Sequence, residues 1–310
     1  MIWSISDSKT FRRCQRQWFY KSIAGNAKAA DPVRHRLYLL SKLQSISAWR
    51  GQIVDSVISD VLIPAVVSKR RITLDQMKGH ARLLFDRQLA CATKHELFSP
   101  GFVPSRLGPE FAALHCMEYG TGIPEVEIRT ARDEVDQALT NLFGMTEFKE
   151  ILKSATALIP QRPLVFSHSG ISVRAVPDLI VFSKDSPPVI VDWKVHFFGI
   201  DEAWLQLATY AMALTRCNPH RDFPDIRKWS VQEIELAEVQ LLKNHVRKYS
   251  IGDDELDRAE AYIAESATEM GLTVGGRKAC QLSAEDFCVA RYEGACQSCN
   301  FRNVCWGGTA

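Results

Sequence analysis

Apolar positions recur along this chain with two different spacings, and the change between them divides it. From residue 8 to residue 155 the spacing is helical. Residues 8–24 read as a helix with Ser8 as its cap, Phe11, Trp18 and Phe19 as apolar contacts, and Gly25 as its end. Residues 34–67 carry Leu37, Leu40, Leu43, Ile46, Ile53 and Val57 at intervals of three and four, which predicts one or two helices. Thr73-x-x-Gln76 is a capping-box signal that opens a further helix running toward Ala92. A loop rich in Pro and Gly follows from Ser99 to Pro109, and residues 131–155 are helical again.

After Pro163 the runs shorten and become rich in branched and aromatic residues. Pro163–His168, Ile171–Val176, Asp178–Phe182 and Val189–Asp192 read as strands, with turn signals at Ser169-Gly170 and Ser186-Pro187-Pro188. Together they predict one small mixed sheet. Residues 201–217 read as a helix opened by Asp201, Glu233 to Leu242 as a further strand, and Asp253 to Met270 as a polar-faced helix. The tail from Cys280 is short, loop-like and rich in cysteine. The layout predicts an α/β fold, with a mixed central sheet flanked by helices, a helical N-terminal elaboration and a cysteine-rich C-terminal tail.

Composition changes this picture little. The chain has 310 residues, 46% hydrophobic and 24% charged, which suits a globular domain with a substantial core. Net charge is only +2 and the pI is about 8.1, so whole-chain charge does not advertise a nucleic-acid partner. Basic residues do cluster, at Arg12, Arg13 and Arg16, at Lys69-Arg70-Arg71, and at Arg227-Lys228, but each cluster alone reads as a solvated face. No apolar run has the length of a membrane span, and the N-terminus lacks the charge-then-apolar order of a secretion signal. Nine cysteines without scaffold-like spacing point to a reducing, cytoplasmic setting. Gly275-Gly276-Arg277-Lys278 lacks the spacing of a phosphate-binding loop, which argues against an ATPase motor.

Two constellations carry the chemistry. Asp178 opens one predicted strand and Asp192 closes the next, so a hairpin brings both carboxylates to the same end of the sheet. Lys194 is two residues after Asp192 and shares its face. Two converging carboxylates repel, and a divalent cation removes the conflict; oxygen donors suit Mg²⁺ or Mn²⁺. Such an ion makes a water nucleophilic and neutralises charge on a phosphoryl group, while Lys194 orients or deprotonates that water or stabilises developing charge. Gln206-x-x-x-Tyr210 puts two polar side chains on one face of the next helix. His196 is placed to touch a substrate phosphate or simply to sit at a strand end. In the second constellation, Cys296, Cys299 and Cys305 lie within ten residues, and four thiolates in a reducing compartment suit zinc or an iron–sulfur cluster.

Pro177-Asp178, Asp192-x-Lys194 and Gln206-x-x-x-Tyr210 resemble the motifs of the PD-(D/E)XK (restriction-endonuclease-like) nuclease superfamily, in its RecB-like branch. The branch's upstream Gly-x-x-x-His matches Gly51 to Asp55, with Asp55 in place of the histidine; Ala175 replaces a frequent glycine. The resemblance implies a metal site of Asp55, Asp178, Asp192 and the Trp193 carbonyl, with Lys194, Gln206 and Tyr210 completing the catalytic set. The three terminal cysteines resemble those of iron–sulfur nucleases of this branch, the CRISPR-associated adaptation nucleases and AddB-type recombination nucleases. There a first cysteine precedes the nuclease core, which implies Cys14 as the fourth ligand of a 4Fe-4S cluster; Gln15 stands where proline is frequent.

What the resemblance implies is a single nuclease domain over residues 1–310. It comprises an N-terminal helical part (1–50), a helical insertion (51–160), a core sheet and helix (161–245), and a C-terminal helix with the cluster tail (246–310). The implied activity is metal-dependent hydrolysis of DNA, at single strands or ends, with a helicase or a CRISPR adaptation protein as the kind of partner. Two rivals stand beside it: a nuclease-derived DNA-binding or adaptor subunit, and a zinc-stabilised nuclease. Trp18, Phe19 and Tyr20, interleaved with Arg12, Arg13, Arg16 and Lys21, either stack on single-stranded DNA or pack the core. Cys280 and Cys288 are secondary ligand candidates; Cys91, Cys116 and Cys217 read as small buried residues.

Overall fold

A computed structural model describes residues 2–120, 122–196, 203–224 and 228–307. Eight strands, β1 (Ile2–Trp3), β2 (Ala155–Pro160), β3 (Leu164–His168), β4 (Ile171–Ala175), β5 (Leu179–Ser183), β6 (Val189–Lys194), β7 (Glu235–Gln240) and β8 (His245–Tyr249), form two sheets. The larger has the order β2-β5-β6-β7-β8, and the smaller β1-β4-β3. The single sheet expected from the sequence is thus two. The β3–β4 hairpin turns at Ser169 and Gly170, both at positive φ, and leaves the main sheet to pair in parallel with β1.

The main sheet is mixed: β5–β6 is the expected antiparallel hairpin, and β6–β7 runs parallel. A parallel pair needs a crossover, and the Ala203–Arg216 helix supplies it. β5 is buried along its whole length, as a strand covered on both faces must be. Ile180, Phe182, Ile190 and Leu236 face one core, shared with the Ala203–Arg216 and Asp253–Val274 helices and the smaller sheet. Leu179, Val181, Val191, Trp193 and Val239 face a second core, built from the Ile46–Val57, Leu74–Lys94 and Glu125–Gly144 helices. The Thr73/Gln76 capping box forms as the sequence implied.

Several boundaries move for physical reasons. β2 is a strand of the main sheet, so residues 155–160 belong to the core and not to the helical insertion; β8 extends the sheet past residue 245. The helix expected over 131–155 begins at Glu125 and breaks at Met145 before Thr146–Lys153. The N-terminal helix is capped by Ser4, whose hydroxyl accepts from the Asp7 amide, and Ser8 instead meets the Tyr262 hydroxyl at 3.1 Å. It stops at Arg13, because Cys14 is extended; Gln15–Trp18 and a π-helical turn at Phe19–Ala24 follow. Asp201 and Arg227, singled out above, lie outside the described residues.

The two ends of the chain are interlocked. Trp18, Phe19 and Tyr20 are all buried, so they do not form a stacking surface for DNA. Phe19 stacks on Phe287 with centroids 4.6 Å apart, and Tyr20 leans on Phe301 at 5.5 Å. The Arg16 amide donates to the Cys288 carbonyl (3.1 Å), and Gln15 Oε1 accepts from the Cys288 amide (3.2 Å). Gln15 thus does a job that proline could not. Replacing Phe287 by alanine removes a ring that is 1% exposed and should lower unfolding free energy by about 3 kcal/mol in denaturant titrations.

Candidate active site

The strand register lines polar residues across the end of the main sheet. β5 pairs with β6 through Leu179↔Val191, and one step further sets Asp178 opposite Asp192. β2 pairs with β5 through Pro160↔Leu179, and one step further sets Gln161 opposite Asp178. On the other side Asp192 pairs with Glu238, and Glu238 with Arg247. Directly opposite residues share a face, so Asp178, Asp192 and Glu238 point together toward the Ala203–Arg216 helix.

That helix contributes the next layer. Gln206 Nε2 donates to Asp192 Oδ1 (3.1 Å) and to the Tyr210 hydroxyl (2.5 Å), as the four-residue spacing on one helical face allows. Lys194 Nζ lies 2.5 Å from Asp192 Oδ2 and 3.5 Å from Gln206 Oε1. Asp55 enters from the opposite core on the Ile46–Val57 helix. Its Oδ1 accepts from the Trp193 indole N–H (3.0 Å) and from Gln161 Nε2 (2.8 Å). Asp178 Oδ2 accepts from the Trp193 amide (3.0 Å), and Oδ1 from Gln161 Nε2 (3.2 Å). All of Asp55, Asp178, Asp192, Trp193, Lys194, Gln206 and Tyr210 therefore meet in one place. Buried Arg50 fastens the chain just beyond them by donating to the Val195 carbonyl and pairing with Glu134.

Two further residues belong to this neighbourhood and carry no motif. Glu238 is 1% exposed and held by Gln240 Nε2 (2.9 Å) and the Tyr249 hydroxyl (2.7 Å). Gln161 was equally silent, although a carboxylate-bearing β7 one strand from Asp192 was a usable signal for Glu238. His196 sits just beyond β6, half-buried, with its buried Nδ1 unpartnered among the described residues. Its pKa is lowered, first by burial and then by the Lys194 ammonium.

Electrostatics make the site a place of unresolved repulsion. Burial raises the Asp178 pKa well above the ordinary value, and the Asp192 and Asp55 charges raise it further; Lys194 offsets part. Burial likewise raises Asp192 against the opposing pull of Lys194, and raises Asp55 against its hydrogen bonds from Trp193 and Gln161. Burial pulls Lys194 down, but Asp192, Asp178 and Glu238 outweigh it, so the net shift is upward and the amine stays protonated.

The donor set fits a hard divalent cation. It consists of carboxylate oxygens, and Asp192 Oδ2, in a residue 1% exposed, is paired with the Lys194 ammonium and meets no other hydrogen-bond donor among the described residues. Among the described residues no group of three or more His, Cys, Asp or Glu is drawn together as a preformed ion cage. At the end of the sheet the Gln161 amide lies between Asp55 and Asp178, and the Lys194 ammonium lies on Asp192.

Away from the β5–β6 hairpin in sequence, Cys14, Cys296, Cys299 and Cys305 line one cavity, with Gln17, Tyr20 and Phe301. Burial pushes the Cys299 thiol up to about 11, and its three cysteine neighbours add to this. Three of the sulfurs receive N–H donors: Cys14 from Gln17 (3.4 Å), Cys299 from Phe301 (3.4 Å) and Cys305 from Arg16 (3.9 Å). Cys280 and Cys288 are exposed and do not line this cavity.

With this geometry in view, comparison with known proteins is informative at the level of family. The sequence profile described as the PD-(D/E)XK nuclease superfamily matches residues 2–306. No curated protein matches the chain. Among solved structures, a "Putative exonuclease" from Eubacterium rectale is similar at 12% identity and a TM-score of 0.41, covering 98% of this chain and 91% of that one. SSO0001 is similar at 13% identity and a TM-score of 0.31, covering 74% of this chain and 97% of that one. Likenesses this loose carry no argument. No helix among the described residues is long and apolar enough to cross a membrane.

The raised carboxylate pKa values make a prediction about stability. A carboxyl whose folded pKa exceeds its unfolded value near 3.8 favours the fold at low pH, and that contribution is lost as pH rises toward the folded pKa. A bound cation cancels the repulsion. The Mn²⁺-induced rise in thermal midpoint should therefore be larger at about pH 8 than at about pH 5 when read by scanning fluorimetry.

Proposed function

The chain belongs to the PD-(D/E)XK nuclease superfamily, and on that premise we propose that it is a metal-dependent deoxyribonuclease of the RecB-like branch, acting on single-stranded DNA or DNA ends. The observation that carries this reading is the row Asp178–Asp192 with Lys194 and Asp55, a cluster of one buried and two half-buried carboxylates beside one protonated amine. Members of the superfamily generally use Mg²⁺ or a similar divalent ion, which supplies a nucleophilic water and neutralises phosphate charge. Asp55, Asp178, Asp192 and the Trp193 carbonyl are the residues that would hold it.

Lys194 is the donor of the set. Protonated and held between Asp192 and Gln206, it orients the attacking water and answers the charge that develops on the phosphoryl oxygens. Gln206 aligns Asp192 and passes that constraint to Tyr210, whose pKa burial has raised so that it stays a neutral hydroxyl. An aspartate at position 55 keeps the site all-oxygen, which favours hard ions such as Mg²⁺ and Mn²⁺. Asp178, Asp192 and Lys194 match the superfamily motif and Asp55 adds a further carboxylate, which favours catalysis over a DNA-binding or adaptor role. Alanine at Asp192 or Lys194 should reduce cleavage of labelled DNA by about 100-fold or more while DNA binding survives. Equal cleavage by wild type and both variants would sink the mechanism.

We further propose that Cys14, Cys296, Cys299 and Cys305 hold a 4Fe-4S cluster. Their convergence on one cavity, and the N–H donors aimed at three of the sulfurs, support it. Burial favours the neutral thiol at Cys299, so thiolate ligation there would be coupled to metal binding, and a cluster held by all four cysteines would link the chain's two ends. Anaerobically purified protein should be brown with about four irons per chain, and Cys14→Ala should lose the colour. A colourless protein carrying stoichiometric zinc would refute this assignment.

A further inference from the structure

The gap between Asp55 and Asp178 is filled by a neutral amide. Gln161 Nε2 donates to Asp55 Oδ1 at 2.8 Å and to Asp178 Oδ1 at 3.2 Å. Its backbone is committed to the same place, because the Gln161 amide donates to the Asp178 carbonyl at 3.0 Å. The residue achieves this at φ +49°, a left-handed conformation that glutamine adopts at a cost. Next to it, Arg162 turns away and pairs with Asp222. Gln161 is folded inward, between two carboxylates whose pKa values are both raised first by burial.

An amide NH₂ carries partial positive charge and two donors, so it gives those oxygens a weak version of what a cation would give. A divalent ion held by Asp55 and Asp178 would compete with that amide for the same carboxylates. We propose that Gln161 is the placeholder of the cation site: its amide binds the two carboxylates together while no ion is present and withdraws when the ion enters. This rests on the reading of the carboxylates as the cation site. It has two consequences. Without an ion, Asp55 and Asp178 would be spared bare repulsion, and ion binding would first break two hydrogen bonds to carboxylates, which lowers the apparent affinity.

The test is calorimetric titration of Mn²⁺ into metal-stripped wild type, Gln161→Ala and Gln161→Gly, with Asp178→Asn as control. Glycine suits the positive φ, so the second variant guards against loss of fold. Both Gln161 variants should bind Mn²⁺ about tenfold more tightly than wild type. Both should also show a larger Mn²⁺-induced rise in thermal midpoint. Weaker binding would make Gln161 a ligand and overturn the proposal. Unchanged affinity, with the midpoint lowered equally with and without Mn²⁺, would make it a merely structural residue and overturn it as well. If no protein binds Mn²⁺, the cation-site reading itself fails. If Asp178→Asn abolishes binding and the Gln161 variants do not alter it, only the placeholder fails.

Discussion

Two aspartates, Asp178 and Asp192, are held opposite each other at the end of an antiparallel hairpin, in a setting where charge is expensive. The rest of the site follows from that constraint. Neither carboxylate can move away, because each is anchored by the β5–β6 register and by its own hydrogen bonds. The surroundings therefore supply positive charge and donors: Lys194 on the same face, the Trp193 amide, Gln206 from the crossover helix and Gln161 from the end of β2. Leaving such a cluster in place costs stability in an ion-free protein. On the proposed reading a divalent cation would turn the same arrangement into an asset, and so link this fold to phosphodiester chemistry.

The scaffold is arranged to hold that geometry from both sides. One core presses the Ala203–Arg216 helix, with Gln206 and Tyr210, onto the face carrying Asp192. The other brings the Ile46–Val57 helix, with Asp55, against Trp193. Arg50 ties the chain past Lys194 to the Glu125–Gly144 helix. Phe19, Phe287, Tyr20 and Phe301 pack the two ends of the chain together around the four-cysteine cavity. The carboxylate cluster and the closure of the chain ends thus use different residues.

Much of this was legible in the sequence, and the exceptions have physical causes. The β5–β6 hairpin was readable because its turn is punctuated by Ser186-Pro187-Pro188 and its strands carry the apolar runs Leu179–Phe182 and Val189–Val191. Lys194, Gln206 and Tyr210 followed from strand and helix periods. β1 and β2 were missed: two residues give no period, and β2 follows directly on a helix without a turn signal. The split into two sheets depends on long-range pairing of β1 with β4, which no local pattern encodes. Gln161 stayed hidden because its role depends on a positive φ and on register with Asp178, and Glu238 because a buried glutamate looks in sequence like an exposed one. Trp18, Phe19 and Tyr20 fitted both a stacking surface and a core until Phe287 and Phe301 were seen against them.

If repulsion between buried carboxylates is what a cation relieves, binding must expel protons that those raised pKa values retain. Calorimetric titration of Mn²⁺ in buffers of different ionisation enthalpy measures this directly. Wild type should release protons on binding at mildly acidic pH, and the number released should shrink as pH rises. Binding without proton release at any pH would contradict the charge conflict on which the site depends.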